Sequence, residues 1–170
     1  LTGKNLLKYG RNELQIRYDQ CFQQKKGYGE QTDSILSLYP NRKYRGEPFY
    51  HSLRYSYTFE DRLQAGFVAE KDAGEPFWNA YHKGYDFYSA HLFLKDINWL
   101  KSLAIGDYKM SFGQGLVISN DFSPSRTAVV AQAERRTNGF RRHFSTNEQD
   151  FFRGVASTIT IKNLDISVFY

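Results

Sequence analysis

The sequence predicts an all-β chain: an antiparallel up-and-down transmembrane β-barrel, present as an incomplete segment of about seven strands. Apolar residues recur at every second position, a pattern that sorts side chains onto opposite faces of a sheet. Charged residues occupy many of the other positions, and short turns alternate with long loops along the chain. The chain contains 13 Tyr and 14 Phe, yet no apolar stretch nears the ~18 residues of a membrane helix.

The clearest alternation lies on the two sides of Glu60–Asp61–Arg62, where a hairpin is predicted. Each side is about as long as a tilted strand that crosses a bilayer, roughly 9–11 residues. The odd-numbered face is rich in aromatic and aliphatic residues, while the even-numbered face carries Arg54 and Glu70. We therefore predict that lipid contacts the odd-numbered face through Phe49, Leu53, Tyr55, Tyr57, Phe59, Leu63 and Phe67.

The same period of two extends along a single barrel segment, residues 1–170. Strands are predicted at about 11–22, 49–60, 62–71, 85–95, 101–118, 151–162 and 164–170. Short turns fall at 60–62, 96–100 and 162–163, and long loops at 23–48, 72–84 and 119–150. This alternation is typical of an outer-membrane barrel, whereas loops of roughly 25–30 residues are unusual in a compact soluble domain. We expect the long loops to face outside and the short turns to face the periplasm.

An odd number of strands does not fit the usual even-numbered pattern of a single-chain barrel. We therefore expect further strands on one or both sides of this segment. A barrel must be exported, and no secretory signal stands at Leu1, so the chain is expected to be a mature or internal segment.

Two local irregularities are predicted within this pattern. In the fifth strand the apolar positions change phase at Gly106–Asp107, which indicates a β-bulge or the end of one strand and the start of another. In the first long loop, Thr32–Asp33 is expected to cap a short helix over Ser34–Leu38, which Pro40 then stops. In the third, Ser123–Pro124 is expected to open a second helical stretch.

The strongest chemical cluster is basic and lies in two of the long loops. Guanidinium groups bind phosphates bidentately, and neighbouring aromatic residues can pack on sugar or base faces. The pattern predicts a polyanion site, with lipopolysaccharide as a candidate ligand and nucleic acid disfavoured; the alternative is a solvated charge cluster partly neutralised by Glu134, Glu148 and Asp150. The site residues are Arg126, Arg135, Arg136, Arg141 and Arg142 in the third loop, and Arg42, Lys43 and Arg45 in the first.

Aromatic residues form a second feature, crowded in the second long loop and its return strand. Amphipathic rings favour the two membrane interfaces, where they form girdles. A sugar-stacking platform in the second loop is the competing interpretation. The residues concerned include Phe77, Trp78, Tyr81, Tyr85, Phe87 and Tyr88.

The sequence offers little support for catalysis. His51, His82, His91 and His143 lie in four different segments. Folding could bring His91 beside a serine of a neighbouring strand, but spacing alone does not indicate it. No two histidines have metal-ligand spacing, so we expect no enzyme activity, no catalytic residues, no metal site and no cofactor.

The chain resembles a family of Bacteroidota outer-membrane proteins that carry an N-terminal helix-hairpin-helix region followed by a β-barrel. The resemblance covers most of the chain and matches the barrel portion only. It lies in Gly106–Asp107–Tyr108 with Ser111–Phe112–Gly113–Gln114–Gly115–Leu116, in Phe122–Ser123–Pro124–Ser125, and in Phe151–Phe152–Arg153–Gly154–Val155–Ala156. It implies location in the outer membrane and a barrel architecture, and it implies no substrate.

Together these observations predict an outer-membrane protein with a passive pore or an accessory role in transport or assembly. Its expected partners are the lipid bilayer, lipopolysaccharide and other subunits of an envelope complex. Two alternatives stay open: a surface module that binds polyanions through its basic loops, and a soluble ligand-binding β-barrel.

Overall fold

The computed structural model describes residues 9–78, 83–120 and 139–170. These residues form nine strands, which we number in chain order. The strands are Arg11–Gln20 (β1), Phe49–Phe59 (β2), Leu63–Lys71 (β3), Phe87–Ile97 (β4), Leu100–Phe112 (β5), Ile118–Ser119 (β6), Gly139–Arg142 (β7), Phe152–Ile161 (β8) and Leu164–Phe169 (β9). No helix in the described residues is long and apolar enough to cross a membrane.

The strands form one antiparallel up-and-down sheet in the order β1-β2-β3-β4-β5-β8-β9, with β6 and β7 paired to β5. The prediction of an all-β chain with this topology is therefore confirmed. Within the described residues the sheet is not closed, because β1 and β9 stand at the two ends of the order. The strands number nine rather than about seven, since β6 and β7 add two short ones.

The chain divides into two compact units. The first comprises Leu1–Glu13, Tyr55–Phe67 and Ser89–Tyr170, and the second comprises Leu14–Arg54 and Val68–Tyr88. The first unit holds the main apolar cluster, built from Phe93, Ala104, Tyr108, Met110, Phe140 and Ala156.

The three short turns join strands through residues with left-handed backbone conformations. Glu60 and Asp61 both have positive φ angles, and the amide of Arg62 closes the turn by donating to the carbonyl of Phe59 at 3.0 Å. Asn98 and Lys162 take the same left-handed region at the other two turns. Asp and Asn side chains tolerate this region, which suits Asp61 and Asn98 to their turns, whereas Glu60 and Lys162 adopt it without that preference.

The strand β5 ends at Phe112 because the next residues leave the extended conformation. Gly113, Gln114 and Gly115 all have positive φ and form a short 3-10 turn. Glycine adopts this conformation without a steric cost. The chain then resumes as β6, so the predicted strand 101–118 is a long strand, a turn and a short strand.

The phase change at Gly106–Asp107 has a different origin from the predicted bulge. The pairing of β5 with β8 runs through both residues without an offset, and the register shift lies instead between Leu100 and Ser102. What changes at Gly106, which has φ +90°, is the neighbour on the other edge of β5. The register with β4 extends to Gly106, and the register with β7 begins at Tyr108.

The helix predicted in the first long loop is confirmed and spans Asp33–Leu38 (α1), with Thr32 as its N-cap residue. It ends before Pro40, which begins a 3-10 turn. The helical stretch predicted from Ser123 lies outside the described residues.

Candidate functional site

The strands of the first unit bury polar side chains and expose large aliphatic ones. Ser102 and Thr158 are register partners on β5 and β8, and both are buried. The exposed aliphatic residues on these strands and β9 are Ile105, Val155, Ile161, Leu164, Ile166 and Val168, with Leu164 60% exposed. Among the described residues, the buried set contains ten polar or charged residues and ten apolar ones. A one-sided sheet in water buries mainly apolar residues, so the equal share of buried polar residues differs from that arrangement.

An ion pair between a buried carboxylate and an exposed guanidinium joins β5 to β8. The carboxylate of Asp107 accepts hydrogen bonds from Nε and Nη2 of Arg153, at 2.6 and 2.9 Å. Asp107 is 1% exposed, whereas the Arg153 side chain is 63% exposed. The two residues are register partners on neighbouring strands, so the sheet itself aligns the guanidinium with both carboxylate oxygens.

His91 lies beside this pair, in a space that glycine residues leave open. Its register partner on β5 is Gly106, and a Cβ atom on Gly66 would lie 3.0 Å from Cε1 of its ring. A side chain at position 66 would therefore displace the imidazole. The ring of Phe144 meets His91 edge-on at 5.4 Å between centroids, and the Arg142 guanidinium lies 5.2 Å from the centroid of Phe144.

His143 is the most enclosed ionisable residue of this region and has no exposed surface. Its backbone amide donates to the carbonyl of Asp107 at 3.0 Å, and its ring stacks on Phe151 at 4.5 Å. Burial lowers the pKa of His143, and the positive charge of Lys109 lowers it further, against an opposing effect of Asp107.

We call the group His91, Asp107, Arg142, His143 and Arg153 the histidine cluster. The carbonyls of Ser145 and Asn147 face the His143 ring, but neither imidazole of the cluster has a hydrogen bond of good geometry to a described residue. No set of three or more His, Cys, Asp or Glu side chains in the described ranges is placed to hold a metal ion. The cluster is thus a charged packing site formed by β4, β5, β7, β8 and His143, with its two histidines and Asp107 buried and Arg153 exposed.

The sequence alone does not predict the histidine cluster as one site. The basic pattern of the third long loop places Arg142 beside His143, whereas His91 lies in a different segment. The available signal was the sequence Gly139–Phe140–Arg141–Arg142, whose alternation is too short to indicate a strand by itself.

In the second unit, Lys71 is completely buried at the end of β3. Its ammonium donates to the carbonyls of Phe49 at 3.0 Å and Asp72 at 3.2 Å, and to that of Glu47 at 3.5 Å. The carboxylate of Glu47 lies 3.6 Å away, and the ring of Phe49 lies 4.5 Å from the ammonium. This one cation therefore holds the start of β2 against the end of β3.

Aromatic rings of the second unit form a connected group around His51. Its ring lies 4.8 Å from that of Phe77 and 5.0 Å from that of Tyr85, both edge-on, and 5.6 Å from that of Phe49. Tyr18 continues the group on β1, 5.3 Å from Phe49. These contacts join strand ends to the second long loop, which is where the sequence predicts either a girdle or a sugar platform.

The predicted polyanion residues are distributed over both units. Arg126, Arg135 and Arg136 lie outside the described residues. Arg141 and Arg142 are half-buried in β7 of the first unit. In the second unit, Lys43 and Arg45 are exposed, and the Arg42 guanidinium lies 5.8 Å from the centroid of Tyr39.

The predicted lipid-facing residues differ in burial. Phe67 is exposed, and Phe59 at the end of β2 is buried. The others are half-buried: Phe49, Leu53, Tyr55, Tyr57 and Leu63. Tyr55 and Phe67 contact each other across the hairpin, with 5.9 Å between their ring centroids.

Comparison of the chain with family models, curated proteins and solved structures gave no match.

Proposed function

We propose that this chain forms strands of an outer-membrane β-barrel protein with a passive pore or an accessory role in transport or assembly. The observation that supports the proposal is the side-chain partition of β5 and β8, where Ser102 and Thr158 are buried while Ile105 and Val155 are exposed. In lipid, exposed aliphatic side chains such as Val155 and Ile166 face a solvent as apolar as themselves. Polar side chains such as Ser102 and Thr158 are then placed on the side away from lipid, as in known barrels.

Strand length and topology support the same proposal. The strands β1, β2, β4 and β8 contain 10, 11, 11 and 10 residues, and a tilted strand needs roughly 9–11 to cross a bilayer. Each is joined to its sheet neighbours in antiparallel up-and-down order, the connectivity of outer-membrane barrels. The resemblance to the Bacteroidota family agrees with this location.

We expect Val155→Arg to weaken folding into lipid vesicles by roughly 2–3 kcal/mol, because its side chain faces hydrocarbon in the middle part of the sheet. Ile161→Arg is the matched control: it is also exposed, but it ends β8 next to a short turn, where the cost falls to about 0–1 kcal/mol. The free energies are measured by urea titration in vesicles.

A water-soluble protein would respond differently to the same pair. Both positions are exposed, so both variants would stay within about 0.5 kcal/mol of the parent chain. That result, together with a monomer that is stable without detergent, would overturn the membrane proposal and favour the soluble ligand-binding barrel. Conductance in planar bilayers separates a pore from an accessory role.

A surface polyanion-binding role is the second candidate, favoured by the first long loop. Lys43 and Arg45 are exposed and have no ion pair among the described residues. Tyr44 between them is held in place, because its ring lies 4.6 Å from that of Tyr28 and its amide donates to the carbonyl of Gly27 at 3.0 Å. Tyr44 is therefore held in place between two exposed cations that form no ion pair with a described residue.

We expect the triple variant Arg42→Gln, Lys43→Gln and Arg45→Gln to bind lipopolysaccharide micelles more weakly and with a flatter dependence on salt, because fewer counterions are released. The control carries Arg62→Gln, Lys95→Gln and Lys162→Gln, which remove three cations at the short turns. Equal affinities for the two triple variants would remove the case for this role.

A further inference from the structure

The chain returns from the third long loop to the first unit as a short segment, Gly139–Phe144, which we call the return segment. Tyr108 pairs with Arg142 of β7 and with Phe152 of β8, so these strands lie on opposite edges of β5. Because β4 and β8 also lie on opposite edges of β5, β4 and β7 pair with successive parts of the same edge of β5. The return segment thus occupies the part of β5 that β4 leaves unpaired beyond Gly106.

The return segment is packed rather than lying on the surface. Phe140 is 3% exposed and belongs to the apolar cluster, where its ring contacts those of Tyr108 and Phe112. At its other end, His143 has no exposed surface and Phe144 contacts His91 of β4. Phe140 therefore fixes one end of the segment by apolar packing, and His143 together with the contact between Phe144 and His91 fixes the other.

Burial disfavours protonation of His143, and the charge of Lys109 adds to this effect while that of Asp107 opposes it. Lys109 and Asp107 of β5 face His143, and Arg142, His143 and Asp107 face His91. Asp107 is the carboxylate in this set, and both of its oxygens already accept from Arg153 of β8. A proton on either ring would thus add positive charge beside Arg142 or Lys109, with no free carboxylate in the set to pair with it.

We propose that the return segment is a pH-sensitive latch: it packs on β5 while His91 and His143 are neutral, and it is released when acid protonates them. The release depends only on contacts within the first unit and is independent of membrane placement. Any effect of this release on passage through a pore rests on the function proposed above.

The direction of the pH effect follows from His143. Its pKa is lowered in the packed state from the ordinary 6.5, so the released segment takes up a proton more readily. Below about pH 6.5 the released state therefore binds more protons, and the free energy that favours packing falls as pH decreases. At neutral pH and above, packing is fully favoured.

The test follows the mobility of a nitroxide label on the return segment of the whole chain in detergent. Cys21 is the only cysteine, so the parent carries Cys21→Ser and Arg141→Cys, and the label is attached at position 141. We expect broad, immobilised spectra at about pH 7.5 and sharp, mobile spectra at about pH 5, with the ratio of mobile to immobile label rising roughly tenfold or more.

Three variants of this parent decide the proposal. With His91→Phe and His143→Phe together, which keep the rings but cannot be protonated, the label should stay immobile at both pH values. The control His51→Phe replaces a histidine of the second unit and should keep the full response. His143→Arg places a permanent charge in the cluster and should give mobile label at about pH 7.5.

An immobile label in the parent at low pH, or mobile label at low pH in the Phe pair, would overturn the latch. If the Phe pair does not fold, His143→Arg decides, since an immobile label at neutral pH would overturn it equally. These readouts do not depend on the bilayer, so they are separate from the Val155→Arg test of location.

Discussion

Replacing Arg153 by Met is expected to destabilise the first unit by about 3–5 kcal/mol, because it strands a buried carboxylate. Asp107 is 1% exposed and both of its oxygens accept from the Arg153 guanidinium. Without that partner, the carboxylate keeps the cost of its desolvation and loses the interaction that offsets it. The change is measured as the free energy of unfolding in urea, with the protein in detergent micelles.

Replacing the other partner of the ion pair, Asp107, should destabilise the first unit much less, because the two side chains differ in exposure. After Asp107→Asn, the guanidinium of Arg153 can be hydrated because its side chain is 63% exposed, and we expect a loss of about 1 kcal/mol. The double variant should be close to Asp107→Asn alone. Equal losses for the two single variants would show that the pair acts as an ordinary surface salt bridge.

Replacing Lys71 by Met is expected to destabilise the second unit by about 3 kcal/mol, through several polar groups that lose their donor. The Lys71 ammonium is completely buried and donates hydrogen bonds to the carbonyls of Phe49, Asp72 and Glu47. Methionine has a similar length and fills the space, so the loss reports on the hydrogen bonds rather than on a cavity. Urea titration measures the global change.

A local readout sharpens the Lys71 prediction. The amide of Gly74 donates to the carbonyl of Glu47 at 2.9 Å, and the amide of Gly46 donates to that of Gly74 at the same distance. Hydrogen exchange at these two amides should quicken in Lys71→Met, because Glu47 loses its ammonium partner. Lys43→Met, an exposed lysine of the same unit, is the control. Unchanged protection at both amides would contradict the role assigned to Lys71.

Interactions between residues close together in the sequence were sufficient to predict the hairpins and the first helix. The turn at Glu60–Asp61 follows from the end of two alternating runs, and α1 begins after Thr32, whose side chain makes no capping hydrogen bond, and ends before Pro40. These features depend on residues within a few positions of one another, so their physics is contained in short stretches of sequence. Alternation likewise predicted the antiparallel order of the main strands.

Local rules failed where the chain returns to the sheet from a distance. Gly106 marks a real irregularity, but its cause is the replacement of β4 by β7 on one edge of β5, an event that involves residues some 30 positions away. Lys71 is a second example. Its place at the end of β3 is typical of an exposed charged residue, yet its ammonium donates to the carbonyls of Glu47 and Phe49, more than 20 positions earlier. The phase change at Gly106 shows where the first arrangement occurs but does not identify β7 as its cause, and the partners of Lys71 leave no periodic pattern in the sequence.

The sequence by itself determined the all-β class, the antiparallel up-and-down order and the short turns, because a period of two and turn-forming residues act over a few positions. Only the tertiary structure decided which charges are buried together. His91, Asp107 and His143 come from separate segments, and long-range strand pairing brings them into one cluster. Their protonation and packing depend on neighbours in space, and a linear pattern does not encode those neighbours.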